Sequence, residues 1–379
     1  MDRHALRMVC SPQFWRMAVL WTLALLHSYL LVLLRGRAAG PLRRRPGPLP
    51  SGRRPICVVT GATLGLGRAA AAALAREGYH VVLAGRSTQL LSETVQEIRR
   101  QQPDAYLEAF QVDLASYKSI KKFETLLKQW ILETNSVPAI QLLVNNAGIL
   151  ARSHRITEDG LDEMIQTNYV GPFILTNFLL PLLKNSPVPS RVVNLTSFTH
   201  RCGSDVSEDG LRGMKFGQGS YPLASNYEYT KFCLLLFTYE LHRQLHLSSA
   251  VSVMAADPGV VKTNIMRELP SCLSWFSFAV LRLLNLLQLP AAGVGAVLDA
   301  ALAPPEASGK YFFGGKGRTI RSSRLSYDTG VAKKLWEESS ELFQELQHRK
   351  RDLGTSPVWN GGMQNAGMEK NTGMEKTQE

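Results

Sequence analysis

The sequence predicts an α/β protein with a doubly wound, mostly parallel β-sheet that carries helices on both faces and forms a single domain. Short runs of β-branched and apolar residues alternate along the chain with longer segments of helical periodicity. The short runs are apolar almost throughout, which is typical of strands buried on both faces. Alternating strands and helices with right-handed crossovers give a doubly wound parallel sheet. We expect an N-terminal transmembrane helix before this domain.

The predicted elements follow one another in regular alternation. Strands are expected at residues 56–60, 80–84, 107–113, 140–145, 191–196, 251–257 and 310–313. Helices are expected at residues 66–77, 88–101, 116–134, 159–184 and 226–246. In a parallel sheet of this kind, ligands bind at the carboxyl ends of the strands. The residues that follow strands are therefore the first candidates for a functional site.

Composition and charge limit the function. The 379 residues are 45% hydrophobic, which is enough for a sizeable core. Residues 1–54 hold ten arginines against one acidic residue, Asp2, and so carry +9 of the net charge of +12. The rest of the chain is nearly balanced, which argues against nucleic-acid binding. The five cysteines are scattered, so we expect reduced thiols in a cytosol-facing or stromal protein and no metal site.

An almost unbroken apolar stretch at residues 17–34 is just long enough to span a bilayer. The alternative is an organellar transit peptide, but the apolar block is too continuous for one. The flank that follows the stretch is the more basic one, which places the body in the cytosol. We therefore expect a membrane anchor (1–38), a Gly/Pro/Arg linker (39–54), the folded domain (55–351) and a disordered tail (352–379).

A glycine-rich turn joins the first strand to the first helix. Glycine lets the backbone turn tightly and approach a pyrophosphate, which the free N–H groups of the helix N-terminus can bind. With a strand before it and a helix after it, the turn predicts a dinucleotide site on a Rossmann-type sheet. The residues of this turn are Thr60, Gly61, Thr63, Leu64, Gly65, Leu66 and Gly67.

The end of the second strand indicates which dinucleotide binds. An NAD site would carry an acidic residue here for the ribose 2′-hydroxyl, but this chain has Arg86. Guanidinium groups pair strongly with phosphate, so NADP(H) is favoured and NAD(H) less so. The alternative is that Arg86 is a solvated residue of the first helical turn. The residues after the third and fourth strands complete the expected cofactor site: Asp113, Leu114, Asn145, Asn146, Ala147 and Gly148.

Tyr227 and Lys231 are the candidate acid–base pair. They lie four residues apart at the start of a predicted helix and therefore share one face. A free phenol has a pKa of about 10 and is a poor catalyst at neutral pH. A nearby ammonium group favours the phenolate, so Lys231 is expected to lower the pKa of Tyr227. Tyr229 lacks an equivalent partner because residue 233 is a cysteine.

Together these motifs resemble the short-chain dehydrogenase/reductase family over roughly residues 55–330. The resemblance implies that Ser197 hydrogen-bonds a substrate carbonyl and that Tyr227 transfers the proton. Lys231 would tune Tyr227 and bind the nicotinamide ribose, and Asn168 would hold a water that relays protons. Residues of the motif that starts at Asp257 would close over the nicotinamide: Pro258, Gly259, Val260 and Thr263.

Segments at 197–201, 237–245, 256–268 and 301–320 are similar to the retinol-dehydrogenase-like branch of this family. The similarity is strongest to plant relatives of the dehydrogenase/reductase family member on chromosome X. It implies a lipophilic alcohol and its aldehyde or ketone, retinoid-, isoprenoid- or steroid-like, as substrates. The resemblance also implies that the helices at 116–134 and 159–184 can supply the face of a homodimer.

Three matters stay open. Residues 273–289 are apolar on one face and are expected to cover a substrate pocket or to dip into lipid; the alternative is an ordinary buried helix. The endoplasmic reticulum is the first choice of membrane and a plastid envelope the second. A non-catalytic NADP(H)-sensing or scaffolding membrane protein on the same fold is the alternative function.

Overall fold

The computed structural model describes residues 11–34, 43–134, 138–203, 206–213, 221–245, 248–266, 268, 271–283 and 286–354. Its strands are β1 (Ile56–Thr60), β2 (His80–Gly85), β3 (Leu107–Gln111), β4 (Leu142–Asn145), β5 (Ser190–Leu195), β6 (Val251–Asp257), β7 (Val260–Val261), β8 (Leu287–Gln288) and β9 (Tyr311–Phe313). Seven of them form one sheet in the order β3-β2-β1-β4-β5-β6-β9. Every neighbouring pair is parallel, which confirms the predicted doubly wound sheet. The short strands β7 and β8 pair with each other.

The helices are α1 (Pro12–Leu34), α2 (Gly65–Arg76), α3 (Thr88–Gln101), α4 (Tyr117–Thr134), α5 (Glu163–Ile165), α6 (Gly171–Lys184), α7 (Glu208–Arg212), α8 (Leu223–Leu245), α9 (Ser271–Leu283), α10 (Pro290–Ala301) and α11 (Thr329–Gly354). A π-helical turn, Gln166–Val170, joins α5 to α6. Helix α5 begins later than predicted because the Asp162 carboxylate accepts the N–H groups of Met164 and Ile165 and caps it there. Helices α10 and α11 were not predicted. Helix α11 extends past residue 352, and the rest of the predicted tail lies outside the described residues.

Alternate side chains of the central strands enter two separate cores. On β1, Ile56 and Val58 belong to the core under α4, α6, α8 and α11, whereas Cys57 and Val59 belong to the core under α2, α3 and α10. Because both faces are covered, every residue of β1 is buried, as its continuous apolar pattern predicts. Strand β3 lies at the edge of the sheet and is exposed at alternate residues.

Helix α1 is long and apolar enough to span a membrane, and one of its faces packs against the body. Met17, Ala24, Leu25 and Ser28 are buried on that face. The opposite face exposes large apolar side chains at helical spacing: Val19, Leu23, Leu26, Leu30 and Leu33. The helix therefore has a protein-facing side and an apolar side without a protein partner among the described residues.

The predicted linker is described from residue 43 onward and forms no helix or strand up to β1. An ion pair of 2.8 Å joins Arg43 to Asp299 of α10, and another of 2.9 Å joins Arg45 to Glu77 after α2. This part of the linker is therefore held along the surface of the domain.

Candidate active site

A cavity of about 1030 Å³ lies at the carboxyl ends of the central strands. All the site residues predicted from the sequence line it, except Asn145 and Asn168. Residues from β1, β2, β5 and β6, far apart in the chain, therefore meet at the edge of the sheet where the topology predicts a ligand site.

The turn between β1 and α2 is packed too tightly for side chains at its glycines. A Cβ atom on Gly67 would lie 2.1 Å from the Gly61 carbonyl oxygen and 2.4 Å from Asn146 Nδ2. Gly65 has a φ of +53°, in the left-handed region. Asn146 braces the turn, because its Nδ2 donates to the Thr60 carbonyl at 2.7 Å and its backbone N–H to Thr60 Oγ1 at 3.0 Å. This bracing role was not assigned from the sequence.

Asn145 was predicted to belong to the cofactor site, but it does not line the cavity. Its side chain is buried and its Nδ2 donates to Thr176 Oγ1 at 2.9 Å and to Asn194 Oδ1 at 2.8 Å. It therefore ties the end of β4 to β5 and α6. The sequence motif carries no sign of which of the two neighbouring asparagines turns inward.

Arg86 lies at the cavity where β2 ends, with its side chain half-exposed. Its Nη1 is 3.6 Å from Oε1 of Glu163, which also pairs with Arg155. The adjacent Ser87 caps α3 by accepting the Leu90 N–H at 3.2 Å. A guanidinium is therefore present at the cavity surface, next to a carboxylate that is shared with another arginine.

Three of the predicted catalytic side chains, Ser197, Tyr227 and Lys231, line the same cavity. The Ser197 side chain lines the cavity beside the Tyr227 phenol and acts to lower the pKa of its hydroxyl. Lys231, one turn further along α8, donates from Nζ to the Leu195 carbonyl at 2.9 Å. Its Nζ lies 5.6 Å from the centre of the Tyr227 ring. The end of β5 and the first turns of α8 thus bring serine, tyrosine and lysine together.

Burial controls the ionisation of this pair. It raises the pKa of the Tyr227 phenol above its ordinary value; the Asp257 carboxylate adds to the rise and the Ser197 hydrogen bond opposes it. Burial also lowers the pKa of Lys231 to about 8, while Asp257 acts to raise it. The pKa of Tyr227 is therefore not lowered as expected, because burial favours the neutral phenol. Tyr227 is a protonated phenol at neutral pH.

Asp257 is a charged group of the cavity whose role was not predicted. It ends β6, and burial raises its pKa to about 6. The Tyr311 hydroxyl and the Gly259 N–H donate hydrogen bonds to its carboxylate, the second at 2.7 Å, and both act to lower the pKa. The negative charge of this carboxylate acts to raise the pKa of Lys231. The site therefore holds a buried acid and a buried base.

Asn168 lies in the π-helical turn and is fully buried beside the cavity. Its Oδ1 accepts the Ile149 N–H at 2.8 Å and its Nδ2 donates to the Ile149 carbonyl at 2.9 Å. A Cβ atom on Gly148 would lie 3.4 Å from Asn168 Oδ1 and 3.6 Å from Lys231 Nζ. Asn168 thus holds the chain after Gly148 in place next to Lys231. Its expected part in proton relay stays a prediction.

His200, which the sequence left unassigned, supports Ser197. Its Nε2 accepts the Ser323 N–H at 3.0 Å, so the proton of the neutral ring lies on Nδ1. Nδ1 then donates to the Ser197 carbonyl, which is 2.6 Å away. Burial lowers the pKa of His200 to about 3, so that the ring stays neutral.

Two helical segments add mostly apolar side chains to the cavity wall. The predicted lid at 273–289 contributes from α9 and the segment after it: Trp275, Phe278, Val280, Leu281 and Leu286. Helix α1, expected only to anchor the protein, contributes Phe14, Trp15, Met17, Ala18, Trp21, Thr22 and Leu25. The N-terminal helix is therefore part of the site.

Comparisons with known proteins agree with this geometry. The family described as short chain dehydrogenase matches residues 55–207. Human retinol dehydrogenase 13 is 35% identical over 75% of this chain and 83% of its own length. Human polyprenol dehydrogenase is 32% identical over 76% of this chain and 84% of its own length. The chloroplastic short-chain dehydrogenase TIC 32 A of Brassica napus is 30% identical over 76% of this chain and 88% of its own length.

A solved structure of an uncharacterised protein from Mycobacterium paratuberculosis is 29% identical to the chain. It aligns with a TM-score of 0.58 and covers 78% of this chain and 96% of its own. Sequence, fold and the arrangement of the cavity thus point the same way. The chain belongs to the short-chain dehydrogenase/reductase family of oxidoreductases.

Proposed function

We propose that the protein is an NADP(H)-dependent oxidoreductase that interconverts a lipophilic alcohol and its aldehyde or ketone, with Tyr227 as general acid and base. The observation that carries the proposal is that Ser197, Tyr227 and Lys231 line the same cavity as the glycine turn. A site that orients a carbonyl next to a proton donor and a dinucleotide turn suits hydride transfer.

The N-terminus of α2 fits the pyrophosphate of such a cofactor. Leu64 occupies its N-cap position and makes no side-chain cap, so the first N–H groups of the helix are available for a phosphate anion. The tight glycine turn keeps side chains away from this position. When bound, the cofactor supplies the hydride for carbonyl reduction or accepts it in alcohol oxidation.

In the reductive direction, Ser197 and Tyr227 donate hydrogen bonds to the substrate carbonyl oxygen. As the carbonyl carbon becomes bonded to hydrogen, the oxygen gains negative charge and takes the phenolic proton of Tyr227. The product is an alcohol, and the phenolate that remains is stabilised by the ammonium of Lys231. The protonated state of Tyr227 at neutral pH supports this step. In alcohol oxidation the same proton returns to Tyr227.

Arg86 supports NADP(H) over NAD(H). Its guanidinium lies at the cavity where β2 ends, the place at which an NAD site would carry an acidic residue. A 2′-phosphate bound there would draw Arg86 away from Glu163, whose carboxylate retains Arg155 as a partner. We expect this exchange to favour phosphate because charge-assisted pairs with phosphate are strong.

The apolar walls from α1 and α9 support a lipophilic substrate, and two relatives are named for retinol and polyprenol. The apolar outer face of α1 supports membrane attachment through residues 17–34. We propose the endoplasmic reticulum, with the catalytic domain facing the cytosol. A plastid envelope is the alternative, which the chloroplastic relative supports. A homodimer through α4 and the segment from α5 to α6 stays a prediction.

The test is NADPH oxidation by purified, detergent-solubilised protein with a panel of lipophilic aldehydes and ketones. Wild type should turn over at least one of them, and Tyr227→Phe should lose at least about a thousandfold in kcat while binding NADPH as before. NADPH binding without Tyr227-dependent turnover on any member would instead support the non-catalytic alternative.

A further inference from the structure

The carboxylate of Glu228, the residue after the catalytic tyrosine, is bound by helix α1. Its side chain is only 2% exposed. Trp21 Nε1 donates to Oε1 at 2.7 Å, and Arg16 donates to Oε1 at 3.3 Å and to Oε2 at 2.9 Å. Among the residues that the structure describes, the donors to this carboxylate all come from α1. A buried carboxylate is costly without such partners, so Glu228 is stable in this position only with α1 in place.

The same part of α1 touches the catalytic centre. The Trp21 ring lies 5.7 Å from the Tyr227 ring, centre to centre. Met17, one turn before Trp21, is buried in a cluster with Tyr227, Ile149 and Leu150. Both α1 side chains also line the cavity. One wall of the space in front of the Tyr227 hydroxyl is therefore built from residues that precede the family domain in the chain.

Contacts continue along α1 toward its C-terminal end. Cys202 Sγ lies 3.8 Å from the Leu20 carbonyl oxygen. Leu25 packs in a cluster with Phe198, and Arg201 Nε donates to Ser28 Oγ at 3.0 Å. From Arg16 to Ser28 the engaged stretch is about 18 Å long at the helical rise. Polar bonds at both ends and apolar packing between them fix both the position and the rotation of the helix.

We propose that α1 is a wall of the substrate site as well as the membrane attachment, held there by Arg16 and Trp21 on Glu228, and that Trp21 determines which lipophilic substrates are accepted. This inference rests on the proposed function, since it concerns the substrate half of the same site. In the docked position α1 meets lipid with its outer face only. A long apolar substrate lies between the inner face of α1 and the α9 side chains, and its carbonyl reaches Tyr227 and Ser197.

Docking is tested first, without reference to activity. Leu20→Cys is treated with a short bismaleimide in a full-length chain that carries Cys10→Ser and Cys272→Ser. The expected result is an intramolecular link between residue 20 and Cys202, detected by peptide mass spectrometry; Cys57 and Cys233 are buried. The matched control is Leu30→Cys, which is exposed and lies about 15 Å further along the helix. Equal linkage at both positions, or none at position 20, would overturn the docked arrangement.

Specificity is tested second, with a series of carbonyl substrates of increasing apolar chain length. Trp21→Ala should lower kcat/KM for long-chain members about tenfold, while short-chain members change less than about twofold, because the lost contact is apolar area on the chain. NADPH affinity should not change. Leu23→Ala, on the outer face of α1, is the control and should alter neither class. Trp21→Phe keeps an aromatic ring but loses the N–H that donates to Glu228. It should lower kcat/KM for long-chain members less than Trp21→Ala does.

The outcomes separate this inference from the proposed function. If wild type shows no Tyr227-dependent turnover with any member, the proposed function fails, and the cross-link still reports on docking. If turnover is present but Trp21→Ala lowers kcat/KM equally for short and long chains, Trp21 is not a specificity residue and the inference is wrong. If Trp21→Ala does not fold, Trp21→Phe decides: an unchanged ratio of long-chain to short-chain kcat/KM would also contradict it.

Discussion

The Tyr227 phenol shares the cavity with Ser197, which acts to lower the pKa of the phenol, although Ser197 follows β5 and Tyr227 belongs to α8. Two hydroxyl groups that line the same part of a cavity can both approach one carbonyl oxygen. His200 holds the backbone of Ser197 from behind, and Lys231 is held by the Leu195 carbonyl at the end of the same strand. The serine and the tyrosine are thus fixed by different elements at one point of the cavity.

Ser197→Ala tests the hydrogen bond to the substrate. The variant keeps the Tyr227 proton but loses one of two donors to the developing oxyanion. We expect kcat to fall by about a hundredfold to a thousandfold, as on loss of one oxyanion donor, with a small change in KM. Steady-state kinetics and NADPH titration measure this. A kcat within a few fold of wild type would show that Ser197 does not act on the substrate.

Arg86→Ala tests the choice of cofactor. Loss of a charged hydrogen bond of about 1.5–3 kcal/mol should raise the dissociation constant for NADPH by roughly tenfold to a hundredfold. NADH lacks the 2′-phosphate, so its dissociation constant should change little. Fluorescence titration with NADPH and with NADH measures the two dissociation constants. Arg68→Ala serves as control, because Arg68 pairs with Glu97 on the surface. Equal weakening of NADPH and NADH binding by Arg86→Ala would remove the basis for NADP preference.

The elevated pKa of Asp257 predicts a pH dependence of stability. Its folded value of about 6 lies above the ordinary 3.8, so the folded protein holds this proton more tightly than the unfolded chain. The resulting stability is present below the ordinary value and is lost as pH rises through about 6. At pH 7, ionisation of the buried Asp257 carboxyl lowers the free energy of unfolding by on the order of 2–3 kcal/mol.

Asp257→Asn removes that titration. The free energy of unfolding of the variant, minus that of wild type, should therefore increase between pH 4 and pH 7. Chemical denaturation across this range measures the difference and cancels the other titrating groups. A difference that is independent of pH would mean that the carboxyl group titrates normally in the folded protein.

His200→Phe tests the support of Ser197. The substitution keeps an aromatic ring next to Tyr311 but removes the bonds to the Ser197 carbonyl and the Ser323 N–H. Two unsatisfied buried groups should cost about 2–4 kcal/mol of stability. A kcat reduced about tenfold at unchanged NADPH affinity would match a loosened Ser197. An unchanged kcat in the folded variant would limit His200 to a role in stability.

The fold was predictable because each central strand carries its own signal. Strand β1 is apolar at every position since helices cover both faces of the sheet, and its bounds agree with the prediction residue for residue. The glycine turn after β1 marked where helix α2 begins. Helix α10 escaped prediction for a related reason: it is small and apolar on nearly all sides, so it shows no polar face from which a helical period could be read.

The candidate site was predictable where a residue acts through its place after a strand, and not where it acts through tertiary contact. Ser197 and Arg86 reach the cavity as expected, whereas Asn145 and Asn168 are directed to other buried partners. The pKa of Tyr227 could not be read from its spacing to Lys231, because burial raises it. In a stretch that is apolar almost throughout, nothing in the sequence marks Trp21 as inward-facing. The hydrogen bond to Glu228, some two hundred residues later, does so in the structure.

The most direct measurement of the central claim is the transfer of deuterium from NADPH labelled at C4 of the nicotinamide to a lipophilic aldehyde or ketone. With wild type we predict that the label from one of the two C4 positions appears on the carbinol carbon of the product, as a mass increase of one unit. Tyr227→Phe should yield no labelled alcohol in the same time. Alcohol formed without label, or labelled equally by Tyr227→Phe, would contradict hydride transfer assisted by Tyr227.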